Sequence, residues 1–138
     1  MARVTIVIGV LLILLGVGAY GLAAAGVIGD RASPTALIPA FAGILFVILG
    51  AVGVAKPSAN KHVMHAAAAL ALLAFFGTIG GVVKLIRYAT DSLPADAPVR
   101  PSAWWAQSIM AVLMVIFVIL CVRSFIAARK ARAQQAAV

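Results

Sequence analysis

Four long hydrophobic stretches, separated by short polar segments, make up most of this chain. They span Val4–Ile28, Leu37–Ala55, Val63–Ile86 and Trp104–Ile126. Each is close to or longer than the roughly 20 residues that a helix needs to cross about 30 Å of hydrocarbon. The pattern predicts an all-α fold, an integral membrane four-helix bundle in antiparallel up-down-up-down order. Residues 1–138 form one membrane domain, with transmembrane helices near 4–28, 34–55, 62–87 and 104–127 and a basic tail at 128–138.

Composition excludes a soluble domain. Hydrophobic residues make up 65% of the chain and charged residues 10%, whereas a soluble domain carries about 25% charge. The net charge of +8 raises the question of nucleic acid. We expect no nucleic-acid partner, because the basic residues flank the hydrophobic stretches and no polar module is left to present them. Anionic lipid headgroups are the simpler partners for this charge.

The basic residues predict an orientation. The side with both termini and the second loop carries seven of them: Arg3, Lys56, Lys61, Arg123, Arg129, Lys130 and Arg132. The other side carries four: Arg31, Lys84, Arg87 and Arg100. Positively charged segments stay cytoplasmic, so both termini are expected inside. The three acidic residues, Asp30, Asp91 and Asp96, all fall on the outer side, which leaves anionic lipid as the expected partner of the inner cations.

The amino-terminal stretch resembles a signal peptide in part, because Arg3 precedes it and Ala23–Ala25 could form a cleavage site. Its apolar run of about 25 residues exceeds the 7–15 of a signal sequence, so we predict a retained helix. Cys121 is the only cysteine, and an intramolecular disulfide is therefore impossible.

Prolines and aromatic residues mark the predicted ends of the helices. Ser33 should cap the second helix, with Pro34 at its first position. Pro39 would then lie inside that helix and kink it, which is the interpretation we favour. The alternative is a helix that starts near Ile38 and is barely long enough to span. The second loop, Lys56–Lys61, is a short turn. The third connection is the longest and should cross the outer surface, with interfacial aromatic anchors at its two ends: Tyr88, Trp104 and Trp105.

Small residues at helical spacing predict sites of close helix packing. They are Gly77 and Gly81 in the third helix and Gly21, Ala25 and Gly29 in the first. Packing within the bundle is the favoured role, and self-association or binding of a membrane-protein partner is the alternative. The segments Gly9–Gly16 and Gly43–Gly50 also look alike, which we interpret as coincidence between Leu- and Ile-rich helices rather than internal symmetry.

The pair His62 and His65 is the most distinctive polar element. The two imidazoles are three residues apart, share one helix face and are expected to cap the inner interface. A metal ion would need further ligands, such as Cys121, and haem would need a histidine from a second subunit. A proton-sensing role is a further alternative. We predict no metal and no cofactor.

Three cations lie near the ends of the predicted spans. Lys84 and Arg87 occupy the last turn of the third helix and should extend to the outer surface or pair with Asp91 or Asp96. An anion-collecting ring is the less favoured alternative. Arg123 lies about one turn inside the inner boundary and should extend toward the headgroups.

No catalytic residues can be assigned, because the spans contain no carboxylate and no nucleophile with a plausible base. We therefore predict a protein that is not an enzyme. The same absence disfavours proton- or sodium-coupled transport. The predicted function is that of a polytopic membrane protein acting through lipid, partner or self-association. An oligomeric channel or passive transporter subunit is the alternative.

Three segments carry a resemblance: Thr35–Phe41, Lys61–Ala66 and Cys121–Lys130. Together they resemble a group of small bacterial four-span proteins without an assigned activity. The resemblance implies a bacterial inner-membrane protein and carries no catalytic or binding role with it.

Overall fold

A computed structural model of the chain describes residues 1–27, 32–96 and 99–136. Within these ranges the secondary structure is helical, and the predicted all-α bundle is confirmed. The α-helices are α1 (Ala2–Ala24), α2 (Ile38–Ala55), α3 (Asn60–Ala89) and α4 (Pro101–Ala136). Short 3-10 turns at Pro34–Leu37 and Pro57–Ala59 precede α2 and α3. Each of the four helices, with its 3-10 turn where it has one, is long and apolar enough to cross a membrane.

Two helix ends, those of α1 and α4, differ from the ends predicted from the hydrophobic stretches, because local capping residues decide them. α1 ends at Ala24, short of the predicted Ile28, because Gly26 adopts a left-handed conformation with φ of 70°. That conformation lets the N–H of Val27 donate to the carbonyl of Leu22, which closes the helix. α4 begins at Pro101, before the predicted Trp104, since proline suits the first position of a helix.

The favoured interpretation of Pro39 was wrong. The chain forms a 3-10 turn first, and α2 begins at Ile38, so Pro39 lies in its first turn and does not interrupt a helix. In the first turn a missing N–H costs no helical hydrogen bond, which is why the prolines are tolerated there. The cap was predicted correctly, because the Ser33 hydroxyl accepts a hydrogen bond from the N–H of Thr35 at 3.4 Å.

α1 and α2 approach so closely that their backbones are in contact at glycines. A Cβ atom added at Gly9 would lie 2.7 Å from the carbonyl oxygen of Gly43, and one added at Gly43 would lie 2.5 Å from that of Gly9. Further along, Gly16 meets Ala40 and Gly50 meets Ile6. These four glycines, Gly9, Gly16, Gly43 and Gly50, are referred to below as the glycine clasp.

The contacts of the glycine clasp have a local two-fold symmetry. The contacts at these glycines are paired: adding 34 to the α1 residue and subtracting 34 from the α2 residue converts Gly16–Ala40 into Gly50–Ile6. The Gly9–Gly43 contact is its own counterpart. The likeness of Gly9–Gly16 to Gly43–Gly50, which we had interpreted as coincidence, thus has a structural role. It provides both helices with the same packing surface, and small residues that let backbones approach are the main adhesive between helices in lipid.

The contacts between elements define two ends of the bundle. At the tail end, the Thr5 hydroxyl lies 4.0 Å from the sulfur of Met64, and His65 faces Phe125. Residues 90–100, which follow α3 and precede α4 in the sequence, are referred to below as the strap. At the opposite end of the bundle, the strap end, Tyr88 faces Trp104. Along the two helices of each pair, α1 with α2 and α3 with α4, the contacting residues run in opposite order. An up-down-up-down crossing of a membrane stays a prediction.

Large apolar side chains occupy the centre. Phe46 and Phe117 meet edge to face with ring centroids 5.1 Å apart, and both are fully buried with Leu12, Met110 and Met114. The outside is just as apolar, since Leu73 is 70% exposed and Leu14 is 63% exposed. A soluble monomer rarely exposes apolar patches of more than a few hundred Å².

Candidate functional site

The tail end places His65 in a defined setting. Its Nδ1 lies 2.7 Å from the carbonyl oxygen of Lys61, one turn earlier in α3. A carbonyl only accepts, so the Nδ1–H of His65 donates this hydrogen bond. The ring also packs on Phe125 of α4 with centroids 4.9 Å apart. His65 therefore joins α3 to α4 as well as satisfying a backbone carbonyl near the start of α3.

Of the other predicted residues at the tail end, two are exposed and one is buried. His62 and Arg123 lie on the surface, and Cys121 is buried. In the described part of the chain, no three His, Cys, Asp or Glu side chains are grouped so that they could hold a metal ion. Asn60 was not singled out by the sequence, yet its buried Oδ1 has no hydrogen-bond partner among the described residues. It faces Gly53, where an added Cβ would lie 3.1 Å away.

At the strap end, one hydrogen bond joins the strap to the turn before α2, and one aromatic contact joins α3 to α4. The Arg100 guanidinium donates to the Ser33 hydroxyl at 3.2 Å, which ties the strap to the turn before α2. The rings of Tyr88 and Trp104 lie 5.8 Å apart. Trp104 is 6% exposed, whereas Trp105 is 58% exposed. Trp105 and Tyr88 are exposed and their role as interfacial anchors stays a prediction, whereas Trp104 is a packing residue between α3 and α4.

Lys84 and Arg87 project from the last turns of α3 and are exposed. Neither forms an ion pair with Asp91 or Asp96, and no other described residue supplies one. The backbone of Asp91 ends the helix, because its φ of 49° lets the N–H of Ser92 donate to the Arg87 carbonyl at 2.8 Å. The predicted ion pairs are therefore not formed within the described residues.

Among the predicted small-residue packing sites that the structure describes, one packs closely within the chain. Gly81 lies directly beneath the side chain of Gln107 from α4, which is 9% exposed. A Cβ atom at Gly77 or Gly21 would meet nothing within 4 Å, and Ala25 is exposed. The expectation that these three pack inside the bundle was wrong, because they face outward. Gly29 lies outside the described residues. Self-association through the outward glycines stays a prediction.

The Gly81–Gln107 contact makes a sharp prediction about α3. Gly81→Val should lower the free energy of unfolding by about 2 kcal/mol, because the new side chain overlaps the Gln107 amide and Cβ. Thermal unfolding in detergent, followed by circular dichroism, measures the change. Gly80→Val is the matched control, since an added Cβ there meets nothing within 4 Å. Equal losses at the two glycines would contradict the contact.

Apolar grooves open on the outer surface of the described part of the bundle, and two of them are large. The larger, the α3–α4 groove, has a volume of 390 Å³ and is lined by apolar side chains and one hydroxyl, among them Ile79, Val83, Ser108, Ala111, Val112 and Val115. The second groove, of 340 Å³, lies between α1 and α4 and is lined by residues that include Leu14, Gly18, Leu22 and Trp105. Neither lining contains a charged side chain. Both grooves fit hydrocarbon and neither fits a polar solute.

No protein family, curated protein or solved structure matches this chain. The resemblance to small bacterial four-span proteins stays a prediction, and the functional argument depends on geometry. The sequence analysis missed two packing features, although each left a signal in the sequence. Gln107 gave a weak signal as an amide inside an apolar stretch, and the clasp glycines gave a stronger one in their repeated segment.

Proposed function

We propose that the chain is a multi-pass protein of a bacterial inner membrane that is not an enzyme and acts through lipid, a membrane partner or self-association. The observation that carries the proposal is the apolar outer surface of a bundle whose centre is already filled. Four helices that are long and apolar enough to span a membrane support multi-pass insertion. The bacterial inner membrane follows from the sequence resemblance alone.

The distribution of cations supports an orientation with both termini in the cytoplasm. The contacts of Thr5 with Met64 and of His65 with Phe125 bring the start of α1, the start of α3 and the second half of α4 to the same end. Six of the seven predicted inner cations flank these segments within a few residues or continue α4 beyond them, and Lys56 ends α2 beside them. The positive-inside rule then assigns the tail end to the cytoplasm.

Anionic lipid headgroups are the proposed partners of the tail end. α4 has 36 residues and a length of about 54 Å, so it extends well beyond about 30 Å of hydrocarbon. The extension is exposed and carries Arg129, Lys130 and Arg132. No side-chain carboxylate lies near them in sequence, and each such cation contributes about 1 kcal/mol of attraction to an anionic membrane surface.

A channel or passive transporter subunit receives less support. A conducting path through a single chain would need a polar or open centre, and this centre holds Phe46, Phe117 and Leu12, all fully buried. A pore would have to form between chains. The outward-facing Gly77 and Gly80 offer a surface at which a second helix could approach.

The proposal is tested on the full chain in lipid nanodiscs. We expect the protein to stay in the membrane fraction after an alkaline carbonate wash, and native mass spectrometry of the nanodisc preparation to show one or two chains with retained phospholipid. Release by carbonate would contradict membrane insertion. A ring of several chains that conducts ions in planar bilayers would establish the channel alternative instead.

A further inference from the structure

We propose that the α3–α4 groove is a binding site for one phospholipid, with an acyl chain in the groove and an anionic headgroup at Arg87 and Lys84. The inference rests on the proposed function, because it takes the apolar surface to be embedded in lipid. It goes beyond that function by assigning a particular site, a ligand class and the residues that recognise each part of the ligand.

The shape and lining of the groove fit an acyl chain. On α3 the lining extends from Phe75 to Val83, a rise of about 12 Å. One leaflet contributes about 15 Å to the hydrocarbon thickness, so the groove follows most of the depth of a single leaflet. The only hydroxyl in the lining, that of Ser108, already donates to the Trp104 carbonyl at 2.8 Å. A saturated chain therefore leaves no hydroxyl proton unsatisfied there.

The strap end supplies the headgroup site. Phe75, Ile79 and Val83 line the groove at intervals of four residues, and Arg87 continues the same row one turn farther along α3. Arg87 has no ion-pair partner among the described residues and is exposed, as is Lys84 one turn earlier. A guanidinium binds a phosphate with two parallel hydrogen bonds, and the ammonium adds a second positive charge.

The aromatic pair beside Arg87 supports the depth of this site. Tyr88 follows Arg87 directly and is exposed, as is Trp105 near the start of α4. Tyrosine and tryptophan favour the headgroup region, where one part of the side chain is apolar and the other is hydrated. The groove thus begins at the level of the headgroups and leads toward the bilayer centre. An amphiphile with phosphate and hydrocarbon parts matches that order of chemistry.

The test uses the full chain purified from nanodiscs that contain phosphatidylglycerol or phosphatidylcholine with identical acyl chains. Native mass spectrometry at increasing detergent concentration measures lipid retention. Arg87→Gln should weaken phosphatidylglycerol retention about tenfold, which is the loss expected for one charge-assisted contact. Val112→Trp should block the groove and reduce retention of both lipids, and Val83→Trp should do the same from the opposite wall. All three positions are exposed, so folding is not at risk.

A matched control comes from the same molecule. Val122→Trp places an indole on the exposed surface of α4, away from the lining of the groove. We expect this variant to retain both lipids within about twofold of the original chain. Equal retention in all variants, or equal loss in all of them, would overturn the site while leaving membrane insertion intact. A chain that fails to enter nanodiscs would instead overturn the proposed function itself.

Discussion

Gly9→Leu and Gly43→Leu are each expected to separate α1 from α2 and to lower the free energy of unfolding by about 3 kcal/mol. The reason is geometric: a Cβ atom at either glycine would lie 2.7 Å or less from a backbone oxygen of the other helix. A backbone atom cannot swing aside as a flexible side chain can. The helices must therefore move apart and lose the dispersion contacts that hold them together in lipid.

Gly18→Leu is the control for the clasp. Gly18 lies in α1 two residues from Gly16, and a Cβ atom there meets nothing within 4 Å. The gain in helix propensity from glycine to leucine is the same at each position, so the difference between variants reports packing alone. Unfolding by sodium dodecyl sulfate from mixed micelles, followed by tryptophan fluorescence, measures it. A Gly18→Leu variant as unstable as Gly9→Leu would refute the clasp.

Phe117→Ala is expected to lower the free energy of unfolding by about 3 kcal/mol, at the lower end of the range for an aromatic core residue. The phenyl ring is fully buried and meets Phe46 edge to face at 5.1 Å, so its removal leaves a cavity at the bundle centre. The cost stays below that in a water-soluble core, since an unfolded state within lipid also keeps the ring in an apolar environment.

Phe41→Ala gives the matched comparison, because Phe41 is 66% exposed on the outside of α2. In a bilayer that ring contacts lipid in both states, and we expect a change of less than about 0.5 kcal/mol. Unfolding by sodium dodecyl sulfate, measured in nanodiscs for both variants, gives the two changes in the free energy of unfolding for comparison. A loss at Phe41 equal to that at Phe117 would contradict the assignment of inside and outside.

Helix number and class followed from the sequence because an apolar run of about 20 residues has few alternatives to a helix. Helix ends were harder to predict, since single residues decide them: Gly26 stops α1, and Pro101 starts α4 ahead of the tryptophans. Pro39 showed the same limit. The hydrophobic pattern does not distinguish a kink from a preceding 3-10 turn.

Packing partners were the least predictable feature of the chain. Gly77 and Gly81 have the spacing of a helix-packing motif, yet only Gly81 lies under a neighbour, Gln107. Residues four apart on a helix share a face but differ by about 40° around its axis, so spacing alone does not show where an interface ends. The clasp was visible as a repeated segment. Its role in packing was recognisable only from the structure, in which the contacting residues run in opposite order along α1 and α2.

Single-cysteine labelling in intact cells tests the central claim most directly. Cys121→Ala removes the native thiol, and Ser58→Cys or Ala95→Cys then introduces one exposed position at the tail end or the strap end. We predict that a membrane-impermeant maleimide labels Ala95→Cys in intact cells and labels Ser58→Cys only after the membrane is permeabilised. Labelling of Ser58→Cys in intact cells, or protection of Ala95→Cys, would contradict a four-span protein with both termini in the cytoplasm.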